Sequence, residues 1–310
     1  MSEKGIISFF QIEKRVKELV DSNDRFKAAL PVPSDIESLK AVLKAYKNKL
    51  IEPILIGDEK LIKNKADENS LSLDGIEILD LNQPDMAIKT VSKMAIANEI
   101  DFIVKGKGNF NEFVDLLLDE KSDFVSLKKS VSHIAVFKAE LYKKLLILSD
   151  SFVNTAHDIK QKVAIINNAV KLARQLKIDC PKVAILAAVE VIYPQMPVTV
   201  EAAVIAKMSD RKQIPNAIVD GPLSFDIAVD PVAAEAKGIT NSKVAGYADI
   251  IIPSNIETAN GVYKSMSLFA KAEIGGIICG GKVPVAINPS IDSFENRYNS
   301  ILLACLMCSR

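Results

Sequence analysis

The sequence predicts an α/β protein of two lobes with a cleft between them, and three observations carry that expectation. The chain has 310 residues, beyond the size at which one hydrophobic core usually stops growing. Hydrophobic residues make up 49% of it while aromatics are only 6% and Trp is absent, so the core has to be built from Ile, Val, Leu and Ala. Amphipathic helices also alternate with short β-branched runs along nearly the whole length, which is the pattern of βαβ units.

In chain order, apolar periodicity predicts helices at 10–20 and 34–47, a strand at 53–57, a strand at 76–81, a helix at 84–98 and a strand at 101–106. The runs 128–137 and 144–150 are strand-like and separated by a turn instead of a helix, so the crossing between lobes is expected there. Alternation resumes with a long helix from 158, a strand at 182–188, a helix at 199–208, a strand at 217–221 and a helix at 231–237. A strand at 248–253, a helix at 256–270 and strands at 274–280 and 284–288 follow. The last helix, about 291–306, is expected to return to the first lobe. That makes the first lobe discontinuous, 1–138 plus 289–310, and the second 139–288, with the return at Asn288 to Ser293.

Composition narrows the chemistry. Lys plus Arg equals Asp plus Glu at 39 each, so no overall basic field favours nucleic acid and a small-molecule substrate is expected. No run reaches the roughly 18 apolar residues of a membrane span, and the N-terminus lacks the pattern of a signal peptide, so a cytoplasmic protein is expected. Four cysteines, at 180, 279, 305 and 308, are too few for a disulfide framework, and Cys305-x-x-Cys308 is expected to pack in the core. With two histidines and no P-loop, G-x-G-x-x-G, H-E-x-x-H or G-x-S-x-G pattern, nucleotide hydrolysis and zinc proteolysis lose support.

Open α/β sheets bind ligands beyond the carboxyl ends of their strands, so polar residues just after strands are the candidates: Lys105 and Gly106, Asp150 and Asn154, Glu190, and Asp220 with Gly221. Each also reads as a turn former or helix cap. Ser132 and His133 enter the strand at the lobe crossing, where hydroxyl and imidazole could meet an anion or be structural. The stretch Asn288-Pro289-Ser290-Ile291-Asp292-Ser293 reads as the N-terminus of the last helix. An Asp in its first turn would be favoured by the helix dipole, and its free N–H groups could bind an anion.

Several long blocks resemble the phosphate acetyl/butyryltransferase family, and its butyryltransferase branch most. They are LLILSDSFVN (145–154), KVAILAAVEVIYPQMPVTVEAA (182–203), KMSDRKQI (207–214), IVDGPLSFDIAV (218–229), VAGYADIIIPSNIETAN (244–260) and the GGKVP turn (280–284). The first lobe is similar more loosely, through 35–45, IVKG (103–106) and SHIAVF (132–137). The resemblance implies a fold like that of isocitrate/isopropylmalate dehydrogenase, a homodimer formed through the second lobe, and reversible conversion of acyl-CoA and phosphate to acyl phosphate and CoA. It implies no metal or organic cofactor, since CoA and phosphate are substrates.

Attack of CoA on an acyl phosphate needs a base, because a thiol of pKa about 8.5 is mostly neutral at cell pH while the thiolate is the nucleophile. The resemblance makes Asp292 the candidate base, Ser132 a residue of the phosphate-side loop, Lys105 and Gly106 the family's KG turn, and Lys282 the lysine before the last strand. It places Asn154, Glu190, Met196, Asp220, Glu257 and Asn260 along the cleft, with His133 beside Ser132. Where relatives carry Ser-Arg to grip phosphate, this chain has Pro289 and Ser290, and Asn109-Phe110-Asn111 replaces His-Thr-Ser. Two readings follow: a phosphate acyltransferase in which lysines such as Lys105, Lys107, Lys128, Lys129 or Lys282 supply the charge, or a CoA-binding relative without efficient catalysis. A decarboxylating dehydrogenase is disfavoured, because the carboxylate cluster that would hold its divalent metal is missing.

Overall fold

The computed structural model describes residues 5–33, 35–106, 108–119, 123–125, 130–155, 158–289 and 292–308. It is an α/β chain of two compact units, one comprising Phe9–Val131 and the chain from Ile274 onward, the other Ser132–Glu273 with the residues before Phe9.

The first unit contains α1 (Phe9–Asp21), β1 (Phe26–Pro31), α2 (Ile36–Lys47), β2 (Ile51–Gly57), α3 (Glu59–Glu68), β3 (Glu77–Asp80), α4 (Pro84–Ile96), β4 (Phe102–Val104) and α5 (Phe110–Leu117). After the second unit the chain adds β10 (Glu273–Cys279), β11 (Val285–Ala286) and α11 (Phe294–Cys308). The strand order is β3-β2-β1-β4-β11-β10. All neighbours are parallel except β11 and β10, which form an antiparallel pair.

Pairing of β11 with β4 decides where the lobes divide. Val285 is in register with Ile103 and Ala286 with Val104, so the last two strands extend the first unit's sheet. The two units divide between Val131 and Ser132 and between Glu273 and Ile274, while the sequence expectation sets the second lobe at 139–288. Short strands of two or three residues carry too little periodicity to show which sheet they join.

Helix α11 is the spine of this unit. Every residue from Arg297 to Leu306 is buried, and the helix packs on α2, α1 and β11. Gly275 of β10 permits the close approach, since a Cβ there would lie 2.7 Å from Leu303 Cδ1 and 3.0 Å from the Phe9 ring. Cys305 is buried and Cys308 partly so, its thiol 3.1 Å from the Asp101 carbonyl; none of the four cysteines forms a disulfide. The helix also starts later than the sequence suggests. Ser293 Oγ accepts the Asn296 N–H at 3.2 Å, as an N-cap does, so Asp292 precedes the helix instead of occupying its first turn.

The second unit runs β5 (Ser132–Lys138), β6 (Leu146–Ser149), α6 (Ile159–Gln175), β7 (Lys182–Leu186), α7 (Pro197–Asp210), β8 (Ile218–Leu223), α8 (Phe225–Val229), α9 (Pro231–Ala236), β9 (Ile250–Ile252) and α10 (Ile256–Leu268). Its order is β5-β6-β9-β7-β8, with β5 and β6 antiparallel and the rest parallel. Asp158 and Gln161 close a capping box at the start of α6. Lys162 of α6, 1% exposed, pairs with Glu201 of α7 at 2.5 Å and locks the two helices.

Removing one partner of a buried pair leaves an uncompensated charge, so Glu201→Ala is expected to destabilise the protein by about 3 kcal/mol. The double change Lys162→Met with Glu201→Leu should cost clearly less. Urea-unfolding midpoints of the two variants check this, and equal losses would contradict it.

Candidate functional site

In the first unit, four chain segments meet at the carboxyl ends of β1, β4 and β11. The β4–β11 register brings Lys105 and Asn288 to adjacent strand ends, and the Lys105 N–H donates to the Ala286 carbonyl at 2.9 Å. Gly106 turns directly over the end of β1. A Cβ on it would sit 2.1 Å from the Pro31 carbonyl oxygen and 2.5 Å from that of Val32, which no side chain could accommodate. Glycine here is a requirement of backbone approach.

Lys105 is 3% exposed, and its ammonium donates to the carbonyls of Gly106 at 3.1 Å and Gly108 at 2.9 Å, stapling the turn. Burial, helped by the nearby Arg297 charge and opposed by Asp35, brings its pKa down to about 8. The ammonium is therefore charged at neutral pH and becomes neutral as pH rises above about 8.

Asp292 is also buried. Asn288 Nδ2 donates to its Oδ2 at 3.0 Å. The orientation of that amide is set from the other end, where Asn288 Oδ1 lies 2.6 Å from the Ser300 hydroxyl, and Ser300 Oγ also accepts the Gly276 N–H at 2.8 Å. An amide has one accepting and one donating end, so occupying the oxygen turns the NH₂ group to the carboxylate. Arg297, 5% exposed, donates from Nε to the Asp292 carbonyl at 3.3 Å and from Nη1 to Ser38 Oγ at 2.9 Å, and forms an ion pair with Asp35 Oδ2 at 2.8 Å. Ser38 is 2.8 Å from Asp35 Oδ2 and 3.1 Å from the Lys105 carbonyl, which closes the circuit.

Of the sequence candidates, Lys105, Gly106 and Asp292 thus fall in one buried, polar cluster of two cations and two carboxylates. Ser290, with Lys107, Lys128 and Lys129, lies outside the described residues. Lys282 is exposed, and its backbone N–H donates to the Phe124 carbonyl at 2.9 Å. Asp35, Ser38, Arg297 and Ser300 were not anticipated. The available signal was polarity inside an apolar helix: Arg297, Asn299 and Ser300 interrupt a segment that is otherwise core.

The second unit holds the remaining candidates. Ser132, fully buried, accepts from Asn168 Nδ2 at 2.9 Å. His133 is also fully buried, with its ring edge-on to Phe152 at 4.7 Å and Tyr263 at 6.1 Å, and burial lowers its pKa to about 3. It is neutral at physiological pH and presents no cation to an anion. Asp150 accepts the N–H groups of Phe152 at 2.9 Å, Val153 at 3.0 Å and Asn154 at 3.2 Å, together with the Asn154 side-chain amide at 2.5 Å, so this pair builds a turn. Burial raises the Asp150 pKa, opposed by those hydrogen bonds.

Glu190 stands 3.9 Å from the Lys237 ammonium, and Asp220 accepts from the Ser242 hydroxyl and the Gly221 N–H. Met196 precedes α7, while Asn260 is half-buried and Glu257 exposed on α10. Among the described residues no group of three or more His, Cys, Asp or Glu could hold a metal, and no helix is long and apolar enough to cross a membrane.

The family model described as "Phosphate acetyl/butaryl transferase" matches residues 11–95 and 84–305. The chain belongs to this family. It is 39% identical over 305 residues to a phosphate butyryltransferase of Clostridium beijerinckii, covering 98% of both chains. With the phosphate butyryltransferase of Clostridium acetobutylicum it shares 40% identity over 307 residues, covering 97% of this chain and 98% of the relative. Among solved structures, a branched-chain phosphotransacylase from Enterococcus faecalis V583 superposes with a TM-score of 0.79 at 26% identity, covering 91% of this chain and 99% of that one.

Gly106→Ala is expected to lower stability by about 3 kcal/mol, since the added methyl meets backbone oxygens instead of a mobile side chain. A reduced urea midpoint accompanied by lost activity checks this; an unchanged midpoint would contradict the close approach.

Proposed function

We propose that this chain transfers a short or branched acyl group, butyryl or a close relative, reversibly between coenzyme A and phosphate, giving acyl phosphate and CoA. The observation that carries the reading is the full-length similarity to phosphate butyryltransferases, at 39–40% identity. The buried cluster supplies groups of the kinds such a reaction needs. It holds a carboxylate fixed by a hydrogen bond, a lysine charged at neutral pH, and a turn whose backbone crowding admits only glycine.

In the direction of thioester synthesis, Asp292 takes the proton of the CoA thiol as sulfur attacks the acyl phosphate in a ternary complex, and phosphate departs. In the other direction phosphate attacks the thioester and the thiol recovers the proton. Lys105 contributes positive charge on the phosphate side, with Ser132 and Ser290 as hydroxyl donors. Asn154, Glu190, Met196, Asp220, Asn260 and Lys282 are assigned to substrate binding on the family resemblance, as is His133, which can serve only as a neutral group. The reaction as written calls for no metal or organic cofactor. An isocitrate/isopropylmalate dehydrogenase-like pairing of lobes around a cleft, a homodimer and a cytoplasmic location belong to the same proposal and rest on the resemblance.

Thiol release from acetyl-, butyryl- and isobutyryl-CoA, with and without phosphate, tests this. Phosphate-dependent release is expected, fastest with the four-carbon donors, and Asp292→Asn should reduce kcat by about 100-fold or more. Absence of turnover with all three donors would refute the reading. Because the Lys105 ammonium is charged below about pH 8 and neutral above it, activity should fall as pH rises through that value. The limb should be missing from the residual activity of Lys105→Gln.

A further inference from the structure

The family resemblance puts Ser290 where relatives carry a phosphate-gripping arginine, yet an arginine is present seven positions later, within the buried cluster. We propose that Arg297 is a positioning residue for the acyl-transfer reaction, tying the Asp292 segment to the start of α2 so that the Asp292 carboxylate is held in one place. This inference rests on the phosphate acyltransferase reading and names a part of the same site that the reading leaves unassigned.

The geometry favours positioning over direct contact with phosphate. Arg297 is 5% exposed, and its guanidinium is engaged on two sides: Nη1 with Asp35 Oδ2 at 2.8 Å and Ser38 Oγ at 2.9 Å, and Nε with the Asp292 carbonyl at 3.3 Å. The rigid fork of an arginine fixes the directions of these donors relative to each other, so the three acceptors are held as a set. Asp292 is consequently constrained twice, through its backbone by Arg297 and through its carboxylate by Asn288 at 3.0 Å.

The anchor at the other end is firm as well. Asp35 is the N-cap of α2 and accepts the Glu37 N–H at 3.3 Å, while Ser38, 1% exposed, reaches the Lys105 carbonyl. One guanidinium therefore sets the spacing between the strand end bearing Lys105 and the segment bearing Asp292. A base displaced by about 1 Å can lose about 100-fold in rate without losing substrate affinity, which is the signature to look for. Among the described residues Arg297 and Asp35 are the charged groups acting on Lys105, so changing Arg297 also has an electrostatic consequence there.

The test compares Arg297→Gln, Arg297→Lys and Ser38→Ala with the wild type, using kcat, KM for butyryl-CoA, the pH profile and the thermal midpoint. For Arg297→Gln, kcat should fall by about 100-fold while KM stays within about twofold. Its alkaline limb should move to higher pH, because a positive neighbour of Lys105 has gone. Arg297→Lys keeps the charge but not the fork, so it should recover part of kcat with the limb near its original place. Ser38→Ala, which leaves the ion pair intact, should lower kcat several-fold at unchanged KM and serves as the readout if Arg297→Gln does not fold. Folded variants with wild-type kcat and an unmoved limb would overturn the inference while leaving the acyltransferase reading intact. A wild type without phosphate-dependent turnover would overturn both.

Discussion

A guanidinium buried to 5% exposure is the constraint on which the first unit's polar cluster depends. Removing a cation from water is costly unless its donors are matched, and Arg297 is matched by a carboxylate, a hydroxyl and a peptide carbonyl from separate stretches of chain. Those partners lie at the start of α2 and just before α11, more than 250 positions apart in sequence. Satisfying one side chain thus fixes where two distant segments meet, and the candidate base is in one of them.

That meeting is prepared by the sheet. Parallel pairing of β11 with β4 and of β4 with β1 stacks three carboxyl ends side by side, so that Pro31, Lys105 and Asn288 emerge next to one another. Gly106 lets the β4 turn press onto the β1 end, and the burial of α11 on every face supplies a rigid platform. At the polar cluster this platform departs from hydrophobic packing, a local conflict of the kind expected at functional sites.

Much of this was legible in the sequence. Long, strongly periodic segments such as α2, α6 and α10 are located within a few residues by the sequence, and the structure adds the caps Asp158 and Asn255 at the starts of α6 and α10. What escaped has physical causes. β1 is Ala- and Lys-containing with little β-branching, and α3 buries only Ile62 and Ala66, so neither carries a strong period. α5 begins at an Asn109 cap with Glu112 three residues on, a capping signature that went unused. The sheet that β11 joins is not legible in the sequence, because a strand of two residues reveals nothing of its partners. Lys105 and Gly106 stand out as polar residues after a strand and Asp292 as part of a helix start, with their roles supplied by the family resemblance, whereas Arg297 and Asp35 are joined only in three dimensions, and no spacing rule links them.

Family membership points to acyl transfer to phosphate, and the proposal makes Asp292 the base and Arg297 the residue that holds its segment in place. The most direct measurement of that claim is a phosphorus NMR time course of the wild-type protein with butyryl-CoA and inorganic phosphate. The account predicts an acyl phosphate resonance that grows in step with released CoA and reverses when CoA is added in excess. Thioester loss with the inorganic phosphate signal unchanged would mean transfer to water, and would contradict it.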